Sequence, residues 1–188
     1  EQHINFFKTS QKIFNQAGFT HIRDLSMNSF FWNIIQNLED NKDLTVCLDS
    51  FVTVEKPNQT EKVIEEIFKM KNSGSKQMQL CGVKIFIDGS LGSQTAYVSE
   101  NYLNSDYRGL LIWSQNEIEE VIKLAWQTKL DVAIHAIGDE SVHTAALAAR
   151  SVAASGGLGR LHLEHVQLMR PETLKILKPL HVTCHMQP

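Results

Sequence analysis

Three short apolar segments each carry one residue able to bind a metal ion or move a proton. They are Val83-Lys84-Ile85-Phe86-Ile87-Asp88-Gly89-Ser90, Val132-Ala133-Ile134-His135-Ala136-Ile137-Gly138-Asp139 and Leu161-His162-Leu163-Glu164-His165-Val166-Gln167. Side chains alternate faces along a strand. In the first segment Lys84, Phe86 and Asp88 share a face, and Val83, Ile85 and Ile87 share the other. The β-branched set suits packing against helices, which turns Lys84 inward. A buried lysine is costly unless it is paired or chemically altered. Asp131, Ala133 and His135 align in the second segment. Leu161, Leu163, His165 and Gln167 align in the third, leaving His162 and Glu164 on the helix-facing side with structural roles.

Each segment thus brings Lys84, His135 or His165 toward its C-terminal end, where parallel barrels keep their active sites. His135 to His165 is 165 − 135 = 30 residues, about one strand–helix repeat. Lys84 to His135 is 135 − 84 = 51 residues, a repeat plus a long loop. Imidazole suits zinc and similar divalent ions, which acidify bound water and polarise a carbonyl. The bland readings are a lysine ion-paired with Asp88 and histidines hydrogen-bonded in a core. Asp88, Ser90, Ser93 and Gln94 sit at a strand end where substrate could be met, or else they shape a turn. Asp139 reads as the cap of the next helix. His181 and His185 share a face of the last strand and could line a pocket. His143 reads as structural, and Arg108 as an exposed arginine.

The positioning elements follow from pattern. Helices are expected at 4–17, from Ser26 to 39, from Asn58 or Thr60 to Gly74, at 115–129, at 139–154 and from Pro171. Strands are expected at 19–25, 44–54, 80–88, 131–136, 160–167 and 181–186, with a long loop over 89–114. Such alternation argues for a parallel sheet flanked by helices. An open doubly wound sheet fits it as well, but no glycine-rich first loop is present. No linker or repeat divides residues 1–188, so a single domain is expected.

Composition narrows the function classes. Lys plus Arg is 18 and Asp plus Glu is 21, giving a net charge of −3, and no basic stripe points to nucleic acid. Cys47, Cys81 and Cys184 are scattered in apolar runs, as expected of reduced thiols in a cytoplasmic compartment. No apolar run reaches the roughly 18 residues of a membrane span, and no signal-peptide pattern opens the chain.

The block from Gly82 through Ser90-Leu91-Gly92-Ser93-Gln94-Thr95-Ala96 resembles a signature of the amidohydrolase superfamily. The branch is amidohydrolase family 3, which includes YtcJ-like and N-substituted formamide deformylase-like proteins. His135-Ala136-Ile137-Gly138-Asp139, Glu164-His165-Val166-Gln167 and Gln187-Pro188 are similar to its later blocks. The resemblance implies a partial (β/α)8 TIM barrel, about strands 2 to 7 of the metal-dependent hydrolase type. It implies hydrolysis of a non-peptide carbon–nitrogen bond in a small molecule, with ester or lactone cleavage, or a non-catalytic protein keeping the fold, as alternatives. Lys84, His135 and His165 match metal positions, the metal being zinc or a similar divalent ion, and Lys84 matches a lysine that can be carbamylated. Asp88, Ser90 and Gln94 fall where substrate would bind. The family's His-x-His pair and eighth-strand Asp have no counterpart here, so no general base is assigned. A chain holding only those strands is expected to be the middle of a longer enzyme and to self-associate through its exposed first and last strands.

Overall fold

A computed structural model describes residues 2–71 and 75–187. Gly74, the expected helix end, and Pro188 of the last motif lie outside them. The elements are α1 (Gln2–Gln16), β1 (His21–Met27), α2 (Ser29–Asp40), β2 (Cys47–Thr53), a 3-10 turn (Pro57–Gln59), α3 (Thr60–Lys71), β3 (Met78–Phe86), α4 (Gln115–Gln127), β4 (Asp131–Ala136), α5 (Asp139–Ala154), β5 (Leu161–His165), α6 (Pro171–Leu177) and β6 (Val182–His185). The chain resolves into two compact units, Glu1–Thr53 with Lys62–Gly82, and Val54–Glu61 with Val83–Pro188. The boundary falls inside β3, between Gly82 and Val83. A strand carries no linker composition, so the sequence gives no sign of a division there.

In the first unit β1, β2 and the start of β3 are neighbours in that order. β1 and β2 are parallel, His21 opposite Cys47, with an irregularity between Asp24 and Met27. α2 begins at Asn28, whose Oδ1 accepts the Phe31 N–H at 3.0 Å. Ser26, the expected cap, lies in β1, because the strand runs to Met27. Trp32, Ile35, Leu38, Phe51, Ile67 and Met78 form a nearly solvent-free core. Gln11 is buried with its amide spent on the chain, donating to Asp43 O at 3.2 Å and accepting from Thr45 N–H at 2.7 Å.

In the second unit the end of β3 is followed by β4, β5 and β6, each beside the next. α4 opens with a capping box in which Ser114 and Glu117 satisfy each other's backbone N–H groups. Its residues Ile118, Val121, Ile122 and Ala125 are fully buried, as are Val142, Ala145 and Ala149 of α5. These helices pack on β4. Val83, Ile85, Val132, Ile134, Leu161 and Leu163 are likewise fully buried.

Register corrects one expectation. Val132 pairs with Leu161 and Ile134 with Leu163, so both leucines belong to the aliphatic, helix-facing side. His135 pairs with Glu164, and Ala133 with His162. His162 and Glu164 therefore share the inner face with His135, the reverse of the expected parity. Burial decides it. Leucine gains most by packing on the helices, and the polar residues are left for the inner face.

Candidate metal centre

His135 comes from the C-terminal end of β4, and its side chain is 13% exposed. Its Nε2 lies 2.9 Å from Gly89 O, an oxygen that can only accept, so Nε2 carries the proton and Nδ1 keeps a lone pair. Burial, helped by the nearby positive charge of Lys84, holds the imidazole below its ordinary pKa, against the opposing hydrogen bond to Gly89 and the charge of Asp88. The ring is neutral at pH 7, the form that binds metal.

His165 reaches the same place by a backbone distortion. Its register partner is Ala136, so regular alternation would send it to the helix side. Instead His165 has φ 75° and Val166 φ 46°, left-handed values that are sterically poor, above all for a β-branched residue. The turn lays the His165 ring edge-on to His135, with centroids 4.7 Å apart. His165 Nδ1 donates to Gln187 Oε1 at 2.8 Å, leaving Nε2 with a lone pair. A zinc bonded at ~2 Å to two such rings at a tetrahedral angle would set their centroids roughly 5 Å apart. The 4.7 Å spacing of the two rings is of that size.

Lys84 is 1% exposed. Its Nζ donates to Ile85 O at 3.1 Å and stands 4.2 Å from the Phe86 ring centroid, and that ring is 5.3 Å from His135. Lys84, His135 and His165 are thus gathered at adjacent strand ends. Among the described residues no group of three or more His, Cys, Asp or Glu side chains is placed to hold a metal.

The three expected substrate contacts divide. Asp88 is 2% exposed, and its carboxylate accepts from Ile137 N–H (3.1 Å), Gly138 N–H (2.9 Å), Tyr97 N–H (3.1 Å) and the Ser141 hydroxyl (2.7 Å). It ties the loop after β3 to the start of α5. Asp88, expected to meet substrate, has four internal donors around its carboxylate, and His135 Nε2 lies 3.5 Å from its Oδ1. Ser90 and Gln94 are exposed on the tight turn 90–95. There the Ser90 hydroxyl bonds Ser93 Oγ at 2.9 Å, and Gln94 has φ 57°. Asp139 is not a cap either. Gly138 is the N-cap, and Asp139 accepts the Ser99 N–H at 2.9 Å. Gly138 is obligatory for a steric reason: a Cβ there would lie 1.9 Å from Tyr97 O.

Sequence reasoning missed the Gly89 carbonyl and Gln187, which fix the two imidazole tautomers, and Phe86, which floors Lys84. A carbonyl carries no sequence signal. Gln187 stood in the last block of the family resemblance, but its hydrogen bond to His165 needs the fold.

Comparisons with known proteins bear on the family and the fold. The family model described as "Amidohydrolase family" matches residues 1–188. An uncharacterized metal-dependent hydrolase from Pyrococcus furiosus superposes with a TM-score of 0.79 at 29% identity, covering 98% of this chain and 38% of that one. A second, from Pyrococcus horikoshii OT3, gives 0.78 at 27% identity over 98% of this chain and 36% of that one. Protein LONG AFTER FAR-RED 3 of Arabidopsis thaliana is 36% identical over 117 residues, which is 61% of this chain and 20% of that protein. The chain spans well under half the length of these relatives. The fold class is α/β, a partial (β/α)8 barrel of the metal-dependent hydrolase type. Matched over its whole length by the family model, the chain belongs to the amidohydrolase family.

Proposed function

We propose that this chain forms part of a metal-dependent hydrolase that cleaves a non-peptide carbon–nitrogen bond, of amide type, in a small molecule. His135 Nδ1 and His165 Nε2 would hold a divalent ion, zinc by ligand chemistry, with Lys84 as a third donor once its amine is carbamylated. Carbamylation turns a buried cation into an anionic oxygen ligand, which removes the cost of the charge. Bound there, the ion supplies an acidified water and a polarised substrate carbonyl. The chain's own groups do the rest: Gly89 O and Gln187 hold the rings in their ligating tautomers, and exposed Ser90 and Gln94 offer polar contacts to substrate.

The observation that supports this reading is the contact of two imidazole rings, 4.7 Å between centroids, in the neighbourhood of a buried lysine and with left-handed backbone at His165 and Val166. Strain of that kind costs about 1–3 kcal/mol per residue and gathers at functional sites. Ester or lactone hydrolysis would use the same polarised carbonyl. The test is zinc binding followed by assay on 4-nitroacetanilide and 4-nitrophenyl acetate, with His135→Ala and His165→Ala as controls. Turnover of the anilide that needs both histidines supports the amide reading. Turnover of the ester alone replaces it with the second reading. Zinc binding that survives both substitutions refutes the site.

A further inference from the structure

The loops that leave the C-terminal ends of β3, β4 and β5 follow the three strands that carry Lys84, His135 and His165. Together they line an open cleft of about 520 Å³. Leu91, Tyr102 and Leu103 come from the loop after β3, Asp139 from the start of α5, and Leu168 and Met169 from the segment after β5. Loops at that end of a parallel barrel are where substrate is met.

The wall supplied by the loop after β3 is preset. Val98 N–H donates to Arg108 O and Tyr102 N–H to Tyr107 O, each at 2.9 Å, so residues 98–108 double back on themselves. The Tyr102 hydroxyl donates to Ala96 O at 2.8 Å. The loop returns through Gly109, φ 87°, where a Cβ would lie 1.9 Å from that same oxygen. Leu103 on this arm is 86% exposed, and Leu168 on the same cleft is 39% exposed. A single exposed leucine is ordinary, but leucines from two loops with Tyr102 and Met169 beside them make a contiguous apolar wall.

The cleft continues from the candidate metal centre. Leu91 is two residues beyond Gly89, whose carbonyl holds His135 Nε2. Leu168 is three residues beyond His165, and its N–H donates at 3.1 Å to the carbonyl of Ile137, two residues beyond His135. At no more than ~3.6 Å per residue, Leu91 lies within about 7 Å of Gly89 and Leu168 within about 11 Å of His165. The charges at the cleft oppose an anion. Arg170 Nη1 lies 3.1 Å from Glu140 Oε1, and Arg170 Nε lies 3.8 Å from Asp139 Oδ2 and 3.5 Å from Glu172 Oε1. Three carboxylates thus surround one guanidinium, and the exposed Glu100 adds a fourth acid to the lining. A carboxylate entering there would meet net negative charge.

We propose that this cleft is the specificity subsite of the site around His135 and His165, and that it takes an uncharged apolar arm of the substrate, such as a phenyl ring on a short alkyl chain. The proposal rests on the hydrolase reading above and names the class of amide that reading leaves open. Leu103 and Leu168 are the specificity-determining residues. Because the arm at 98–108 is already hydrogen-bonded to itself, little ordering opposes binding.

The first test needs no turnover. The 188-residue chain, methyl-labelled at Leu, Val and Met, is titrated separately with 3-phenylpropanamide and N-benzylacetamide, which carry the ring on the acyl and the nitrogen side. Saturable shifts at the Leu103, Leu168 and Met169 methyls are expected, with ring-to-methyl Overhauser contacts, for at least one of the two. Acetamide, which lacks the ring, and 3-(4-carboxyphenyl)propanamide, charged at its tip, should leave those methyls unmoved. No response to either neutral ring, or an equal response to the carboxylate, overturns the proposal. Leu103→Ser and Leu168→Ser change exposed side chains and should each weaken binding about tenfold, the low end of what one apolar group is worth in a pocket. Affinity unaltered in both variants overturns the subsite. Zinc-loaded protein is then assayed on the 4-nitroanilide of 3-phenylpropanoic acid, where each variant should raise KM at unchanged kcat. Turnover with KM unaltered in both variants sinks the subsite and leaves the hydrolase reading standing. The expected methyl shifts in a protein that turns over neither anilide nor ester sink the hydrolase reading and leave a binding cleft.

Discussion

Asp88 offers the sharpest prediction. Its carboxylate is nearly solvent-free and accepts from three backbone N–H groups and one hydroxyl, contributed by the β3–α4 loop and the start of α5. Asp88→Asn keeps one acceptor oxygen. With its oxygen in the Oδ2 position it keeps the Tyr97, Gly138 and Ser141 bonds without their charge, while its NH2 group is opposed to the Ile137 N–H. Hydrogen bonds to a charged group are worth about 1.5–3 kcal/mol each, and a buried donor left unmet costs about 1–3 kcal/mol. Because such effects do not add fully, the expected loss is about 3–4 kcal/mol rather than the sum. For a chain of this size that lowers Tm by roughly 6–16 °C. Guanidinium unfolding followed by the fluorescence of Trp113 and Trp126, in a Trp32→Phe background, reports the second unit. Hydrogen exchange should rise at Tyr97, Ile137 and Gly138 and stay unchanged in α2. Ser141→Ala, which removes one donor and its bond together, should cost only about 1 kcal/mol. An Asp88→Asn variant within 1 kcal/mol of wild type, with those amides still protected, would refute the anchoring role and reopen Asp88 as a substrate contact.

Other predictions follow from the same geometry. Burial lowers the folded-state pKa of His135 below the ordinary 6.5, so the unfolded chain binds more protons between the two values. Stability should therefore fall as pH drops below about 6.5, and His135→Gln should remove that part of the loss in paired urea titrations. Val166→Gly relieves a left-handed β-branched residue, about 1–3 kcal/mol, but forfeits a buried side chain worth about 1.5–3 kcal/mol, so stability should stay within about 2 kcal/mol of wild type. It should also weaken zinc binding by loosening His165, and unchanged zinc affinity would separate the distortion from the site. The chain alone should hold zinc weakly, since two histidines and an unmodified lysine fall short of a closed four-coordinate site; a stoichiometric ion after dialysis would contradict this. Among the described residues β1 is flanked only by β2, and β6 only by β5, and unpaired strand edges promote association. Mass from light scattering should rise with concentration, and Ile22→Lys on β1 should reduce the rise. A monomer at every concentration would end the self-association proposal.

What could be read from the sequence was whatever depends on local pattern. The alternation of strands and helices, the burial of Lys84 and the positions of Lys84, His135 and His165 near strand ends all follow from periodicity and residue type. Each is dictated by neighbours within a few positions. What the tertiary structure decided depends on partners distant in sequence. Parity in Leu161-His162-Leu163-Glu164-His165 is ambiguous alone, because both faces carry plausible residues. Pairing with Val132 and Ile134 settles it and moves His162 and Glu164 to the inner face. His165 then joins His135 only through left-handed backbone, which no alternation rule contains. Asp88 looked like a substrate contact because a carboxylate at a strand end has no local partner. Its partners lie 9 to 53 residues away, and only folding brings those four donors around it.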